Sequence, residues 1–302
     1  MTSVDKRRFR SLLLLLFGTV CISFAAIFVK LIDISQVGPT AIGFWRTLFG
    51  FAILALWTLA ERRTLKLPPH VYKWAALAGF VFFLDLFLWH RSIIYCGAGM
   101  ATILAGTQVF CSGILSRIFY KETLTARFFL AAFGGIVGVI MLIGVGSIEL
   151  SDKYILGVIL GLLTGITYAN YILSVKRGSH EQGTAGTVAF MTWTSLCTAI
   201  LLGTAALIEG EPMMPPDSKS YLVLFALGLI PQAIGWRAIS TSLPNLDASR
   251  AALILLLQSV LATIWGFVFF GEYLNGVQMV GAVITLAAIY FGSIRSVVAA
   301  EA

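Results

Sequence analysis

Charge is scarce in this chain: Asp, Glu, Lys and Arg together make up 12% of its 302 residues. A soluble globule of this length carries about a quarter, so a fully hydrated surface is excluded. The apolar runs are joined by short loops, which leave no room for a soluble domain. Cysteine is sparse too. Cys21, Cys96, Cys111 and Cys197 all fall in apolar runs with no C-x-x-C pair, which argues against a disulfide framework or a zinc site and for small packing residues. H-E-x-x-H and G-x-S-x-G motifs are absent. No His/Asp/Glu set suggests a metal cluster, so no catalytic residue, cofactor or metal is expected. Asp85 and His90, five residues apart, lie ~140° around a helix at 3.6 residues per turn and form no ready dyad.

What is present is hydrophobic: apolar residues make up 59% of the chain and mean hydropathy is +0.92. A helix crosses the hydrocarbon core in ~20 apolar residues, and ten such runs are predicted, over 11–32, 40–60, 73–95, 98–119, 125–146, 154–175, 184–207, 220–242, 249–270 and 275–294. The N-terminal "DKRRFR" precedes a run too long for a signal peptide and without a clear small-residue exit, so an uncleaved first span is expected. Lysine and arginine favour the cytoplasmic side. With the N-terminus inside, the outer segments hold only Lys30, Lys153 and Lys219, the spans hold Arg46, Arg91 and Arg237, and the inner segments hold the other fifteen of the 21. Both termini are therefore predicted to be cytoplasmic. The net charge of +7 follows from this bias and does not imply nucleic acid.

The two halves of the chain match. "TQVFCSGILSRIFYKETLT" around Glu122 aligns without gaps, at a shift of 150 residues, with "LQSVLATIWGFVFFGEYLN" around Glu272. Gln108 meets Gln258, Ile114 meets Ile264, Phe119 meets Phe269, and Ala98 and Ala101 meet Ala248 and Ala251. Each half holds five spans, and an odd number turns the second copy upside down in the membrane. The predicted fold is thus an all-α membrane protein of ten transmembrane helices in two inverted five-helix repeats. It divides into a cytoplasmic segment 1–10, a first repeat 11–146 and a second repeat 154–295. Inverted repeats recur among secondary transporters, where the halves rock about a central site.

The stretches "FYKETLTARFFLAAFGGIVGVIMLIG" (119–144), "SLPNLDASRAALILLLQSVLATIWGFVFFGE" (242–272) and "FGEYLNGVQMVGAVITLAAIYFG" (270–292) resemble the EamA-type repeat of the drug/metabolite transporter superfamily. The resemblance covers nearly the whole chain. It implies a ten-helix carrier with a central cavity, helices 5 and 10 at the periphery, and small metabolites such as amino acids as cargo, frequently moved outward. Members often carry a proline in the fourth and ninth helices, near Val109 and Ser259 here. Its absence gives no reason to expect the usual kink. The short four-helix cation exporters of the superfamily depend on a carboxylate in the first span, and "SLLLLLFGTVCISFAAIFVKL" has none.

Small residues Gly157, Gly161, Gly165 and Ala169 repeat every four positions, and Gly134 and Gly138 form a shorter patch. Such stripes bring helices into close contact, either within a monomer or across a homodimer. Charged groups inside spans point to substrate or ion paths. Arg46, His90 and Arg91 are placed in the outer third and Arg237 near the inner face. His90 and Arg91 are candidates for an outer vestibule that attracts a carboxylate. Snorkelling or a structural ion pair is the other reading for Arg91 and Arg237, and a hydrogen-bonded packing role is the other for His90. Asp85, near the midplane and on one face with Trp89 and Ser92, is either a proton-coupling carboxylate or a counter-ion for Arg46. Gln108, Gln258, Tyr168, Asn170, Tyr171, Gln232 and Trp236 complete the polar candidates for orienting a zwitterion. For Gln108 and Gln258 the other reading is inter-helix hydrogen bonding. Glu122 and Glu272 are expected to act as turn and cap elements.

The expected function is a secondary transporter in a bacterial inner membrane. It moves small zwitterionic or anionic metabolites, amino acids first among them and outward, by alternating access. Protons are the candidate coupling ion and membrane lipid the surroundings. An exporter of lipophilic drugs or cations is the alternative, and a membrane-embedded enzyme or an assembly or sensor protein is the remote one.

Overall fold

The computed structural model describes residues 3–96, 101, 104–143, 151–271 and 275–293. Among the described residues every regular element is helical. In chain order they are α1 (Ser3–Ser23), α2 (Ala25–Lys30), α3 (Pro39–Ala60), α4 (Pro69–Cys96), α5 (Gln108–Tyr120), α6 (Ala126–Ile143), α7 (Asp152–Ile208), α8 (Ser218–Leu227), a π-helical segment Gly228–Gly235, α9 (Trp236–Ser242), a 3₁₀ turn Leu243–Asn245, α10 (Ala248–Leu255), α11 (Leu257–Phe270) and α12 (Gly276–Ser293).

Among the described residues seven stretches are long and apolar enough to cross a membrane: Lys6–Lys30, Pro39–Ala60, Pro69–Tyr95, Asp152–Glu181, Gly186–Ile208, Ser218–Asn245 and Ala248–Phe269. Ala126–Met141 and Gly276–Phe291 are apolar but shorter. The run predicted over 98–119 lies partly outside the described residues, and α5 is its main described part. The 57 residues of α7 form a hairpin rather than one rod, because a Cβ on Gly178 would strike the Phe190 ring. Helical structure continues through the reversal, where two separate spans were predicted. α3 and the second span of α7 run antiparallel: Thr40 at the start of α3 bonds Glu209 and Glu211 at the end of α7, on the face of the molecule far from the N-terminal segment.

Three interruptions were not predicted. Near Thr107 the helical ladder tightens, with bonds from Thr107 N–H to Leu104 O and from Phe110 N–H to Thr107 O. The equivalent place in the second half, near Leu256, does the same through Leu256 N–H to Leu253 O and Ser259 N–H to Leu256 O. The described parts of the runs predicted over 98–119 and 249–270 therefore depart from regular α-helix without proline. At Thr107 the hydroxyl itself donates to Leu104 O at 2.6 Å, competing for that carbonyl. The π segment contains Pro231, which has no N–H for the ladder. Widened turns of this kind expose backbone and redirect side chains.

Packing follows the small residues. Ser92 Oγ donates to Gly157 O at 2.8 Å. A Cβ on Gly161 would fall 2.8 Å from Ser92 Oγ, and one on Gly165 would fall 3.1 Å from Leu104 O. The α7 stripe thus seats α4 and the chain leading into α5, a contact within the monomer. Gly138 meets α12 as closely, with Gly281 O 2.7 Å from its Cβ position. Buried Thr19, Thr47, Thr58 and Thr192 donate to the carbonyl four residues back, which satisfies their hydroxyls without water. Large apolar side chains such as Leu130, Leu207 and Ile208 point outward instead, as a lipid environment allows.

Glu122 ties the two halves together at the turn after α5. Its Oε1 accepts the Ala248 N–H at 2.8 Å and the Lys176 ammonium at 3.0 Å, and its Oε2 accepts from Ser249 N–H and Oγ. It is the cap for α10, holding a negative charge at a helix N-terminus. Burial works against the Glu122 carboxylate, but Lys176 and these donors outweigh it and hold its pKa below the usual range. Its repeat partner Glu272 lies outside the described residues.

Candidate functional site

A cavity of about 120 Å³ opens where α1, α2, α3, α4, the start of α5 and the chain before it, the first span of α7, α9, α10 and α11 converge. Both halves contribute to it. Arg46, Asp85, Trp89, Gln108, Tyr168, Trp236 and Gln258 line it, with Ile22, Leu255 and Leu256 among its apolar walls.

Arg46 reaches it from the second turn of α3 and is 4% exposed. Its Nε donates to Gln232 Oε1 at 3.1 Å, and Gln232 Nε2 donates to Ser195 Oγ at 3.2 Å. The π segment carries Gln232, so the irregular turn sets the arginine's orientation. Gly50 and Gly228 make room: a Cβ on Gly50 would collide with Gln232, and one on Gly228 would fall 3.1 Å from Arg46 O. The guanidinium lies 5.6 Å from the centroid of Phe82. Among the described residues only Nε of the guanidinium has a hydrogen-bond partner, which leaves the terminal nitrogens for a ligand.

Asp85, 7% exposed, lines the same cavity, and its Oδ1 is buried with no hydrogen-bond partner among the described residues. It makes no ion pair with Arg46 at 4 Å or less. A guanidinium and a carboxyl group thus share one cavity without pairing by contact. Leaving buried polar atoms unpaired is costly, and Trp236 Nε1 and Tyr171 Oη beside them are also unpaired. The aromatic floor is tight: Phe82 stacks on Tyr171 at 4.3 Å, and Trp236 meets Tyr171 edge-on at 4.5 Å.

The other candidates separate. Gln258 Nε2 donates to Tyr168 Oη at 3.0 Å at the cavity wall. Gln108 also lines the cavity, but its Nε2 donates to Ala252 O and its Oε1 accepts from Ser112, so it joins helices. Asn170 donates to Ile166 O and faces a different cavity, with Trp74, Tyr120 and Arg177. His90, 2% exposed, lies outside the cavity lining. Both its ring nitrogens are buried without partners, and its ring abuts Gly43.

Arg91 is also outside the lining. It pairs with Glu209, donates to Phe87 O at 3.0 Å and Thr40 Oγ1 at 3.3 Å, and stacks 3.4 Å from the Phe87 centroid. Arg237 pairs with Glu61 at 3.1 Å, over Trp57. The residue that sequence reasoning passed over is Phe82, three positions before Asp85. Trp89 shares the Asp85 face by its four-residue spacing. Among the described residues no three His, Cys, Asp or Glu side chains gather as metal ligands.

The EamA-like transporter family model matches residues 9–144 and again residues 155–294. The "uncharacterized transporter YdfC" of Bacillus subtilis is 27% identical over 84% of this chain and 81% of its own. The "probable amino-acid metabolite efflux pump" of Salmonella typhimurium is 24% identical over 64% of this chain and 66% of its own. A solved crystal structure superposes with TM-score 0.78 over 93% of this chain and 95% of that one at 17% identity, which shows a common fold. With its apolar helices and bacterial relatives, the protein is an integral transporter of the bacterial inner membrane and not an enzyme. The chain belongs to the EamA-like transporter family.

Proposed function

We propose that the protein is a secondary carrier for small zwitterionic or anionic metabolites, with amino acids as the leading class and export as the direction. The observation that carries this is the pairing, in one aromatic-floored cavity, of Arg46 with terminal nitrogens unused and Asp85 with an unpartnered oxygen. A substrate carboxylate fits the first and an ammonium fits the second. Ring faces of Phe82, Trp89 and Trp236 favour the ammonium further. The name of the Salmonella typhimurium relative points to the same class.

In this reading ten spans form two inverted repeats with both termini cytoplasmic, and the halves move to expose the cavity to each side in turn. The double family match supports two units. Asp85 is the proton-coupling group, since a carboxylate that shares a site with substrate can exchange a proton for it. A monomer suffices, because the small-residue stripe is used inside one chain.

A second reading, export of lipophilic cations, is favoured by Asp85 amid Phe82, Trp89 and Trp236. Arg46 in the same space opposes it. Counterflow in proteoliposomes separates the two. Saturable uptake of labelled amino acids against an unlabelled internal pool is expected. Uptake of lipophilic cations alone would transfer the assignment to the second reading.

A further inference from the structure

α3 and the second span of α7 end alike. Each closes on a C-cap glutamate, Glu61 and Glu209. A left-handed residue follows, Arg62 at φ 54° and Gly210 at φ 66°. The backbone bonds repeat as well: Arg62 N–H to Leu59 O and Arg63 N–H to Thr58 O in one, Gly210 N–H to Leu207 O and Glu211 N–H to Ala206 O in the other. This cap fixes how the chain leaves the helix, and so where the glutamate points. The two helices run in opposite directions, which puts Glu61 at the N-terminal face and Glu209 at the far face.

Each carboxylate takes an arginine from the other half of the chain. Glu61 pairs with Arg237 of α9, and Glu209 pairs with Arg91 of α4. Each arginine also rests on an aromatic ring, Trp57 at 3.8 Å and Phe87 at 3.4 Å. Trp236 precedes Arg237, and Trp89 lies two residues before Arg91. Both tryptophans line the Arg46–Asp85 cavity. The two ion pairs lie outside the cavity lining, one on each side of it along the chain directions of α4 and α9.

We infer that Arg237–Glu61 and Arg91–Glu209 are the two gates of the transport path, both closed in this structure and opened one at a time. The inference rests on the carrier reading above. Opening the cavity to one face requires the halves to part there, and the pair at that face is the charge-paired bridge between them, beside the Glu122 bonds to Ala248 and Ser249 at the N-terminal face and the Glu211 bonds to Thr40 and Ala41 at the far face. The four side chains are between 16% and 33% exposed, so each charge gains water as it loses its partner. A partly hydrated pair breaks at lower cost than a fully buried one, which would hold the path shut. The pair left intact seals the opposite side.

The test places one cysteine in the cavity, Ala105→Cys, in the full chain with Cys21, Cys96, Cys111 and Cys197 replaced by serine or alanine. A membrane-impermeant maleimide is applied from each side, in right-side-out and inverted vesicles. Glu209→Gln should raise labelling from the far face about threefold to fivefold and leave the N-terminal face unchanged, the scale expected of a partly exposed pair. Glu61→Gln should do the opposite. The charge-swapped double variants Arg91→Glu/Glu209→Arg and Arg237→Glu/Glu61→Arg, which keep each pair, should return labelling towards the parent rate and show that the fold survives. Labelling unchanged by either glutamine variant, or raised equally from both faces, overturns the gates. Absent counterflow with side-specific labelling retained would reject the carrier reading and leave the gates standing.

Discussion

The centre and the two ends of this protein use arginine differently. Arg91 and Arg237, at the ends, each have a glutamate and an aromatic ring. Arg46, at the centre, is held through one nitrogen by the neutral Gln232, and the nearby acid, Asp85, is not in contact. Where a charge is already paired its field is spent within the protein. Where it is oriented but unpaired, in a space lined by aromatic rings, a ligand of opposite charge completes it. In the carrier reading proposed above, this contrast assigns recognition to the centre and mechanical roles to the ends.

The largest effect expected is from Arg46→Ala. Removing one partner of a buried charge contact costs ~2–5 kcal/mol, so the counterflow rate should fall about a hundredfold or more at matched protein levels. Asp85→Asn should keep exchange of labelled for unlabelled substrate while abolishing accumulation driven by a pH gradient. Loss of both together with loss of folded protein would make Asp85 a structural counter-ion.

Gln232→Leu leaves Arg46 charged but unsteered, and loss of one hydrogen bond to a charged group predicts an apparent affinity about tenfold weaker. Arg237→Ala should slow transport only about threefold to fivefold, with saturation retained. Equal losses from Arg46→Ala and Arg237→Ala would erase the distinction between centre and ends.

The smallest effect concerns stability. Glu122 has a depressed pKa in the fold, so its contribution is complete above the ordinary carboxylate range and is lost as pH falls through the lowered value. Thermal unfolding in detergent should show Glu122→Gln about 1 kcal/mol less stable at pH 7, with the difference from the parent shrinking as the buffer is acidified.

The helical membrane class and the family were legible because hydrophobic length and the recurrence of Gln108, Glu122 and their partners are properties of the linear chain. Arg46, Asp85, Tyr168, Trp236 and Gln258 were also within reach, since a polar residue in an apolar run has to find a polar neighbour. Depth along a span was not enough to sort His90 and Arg91 from Asp85 and Trp89. On α4 the cavity side is fixed by which neighbours pack on it, and Gly43 and Thr40 draw His90 and Arg91 away. Asn170 shows the same limit, being two residues from Tyr168 and therefore on a different face of α7. The pairing of Arg91 with Glu209 spans 118 residues, and no local pattern announces it. The π segment at Pro231 was equally hidden, although the proline marked the place.

Equilibrium binding of a labelled amino-acid panel to the purified protein tests the division most directly, with Arg46→Ala and Arg91→Ala measured beside the parent. Saturable binding by the parent and by Arg91→Ala, and none by Arg46→Ala, is the predicted result. Binding undiminished in Arg46→Ala, or abolished in Arg91→Ala while that variant remains folded, would contradict a central recognition site.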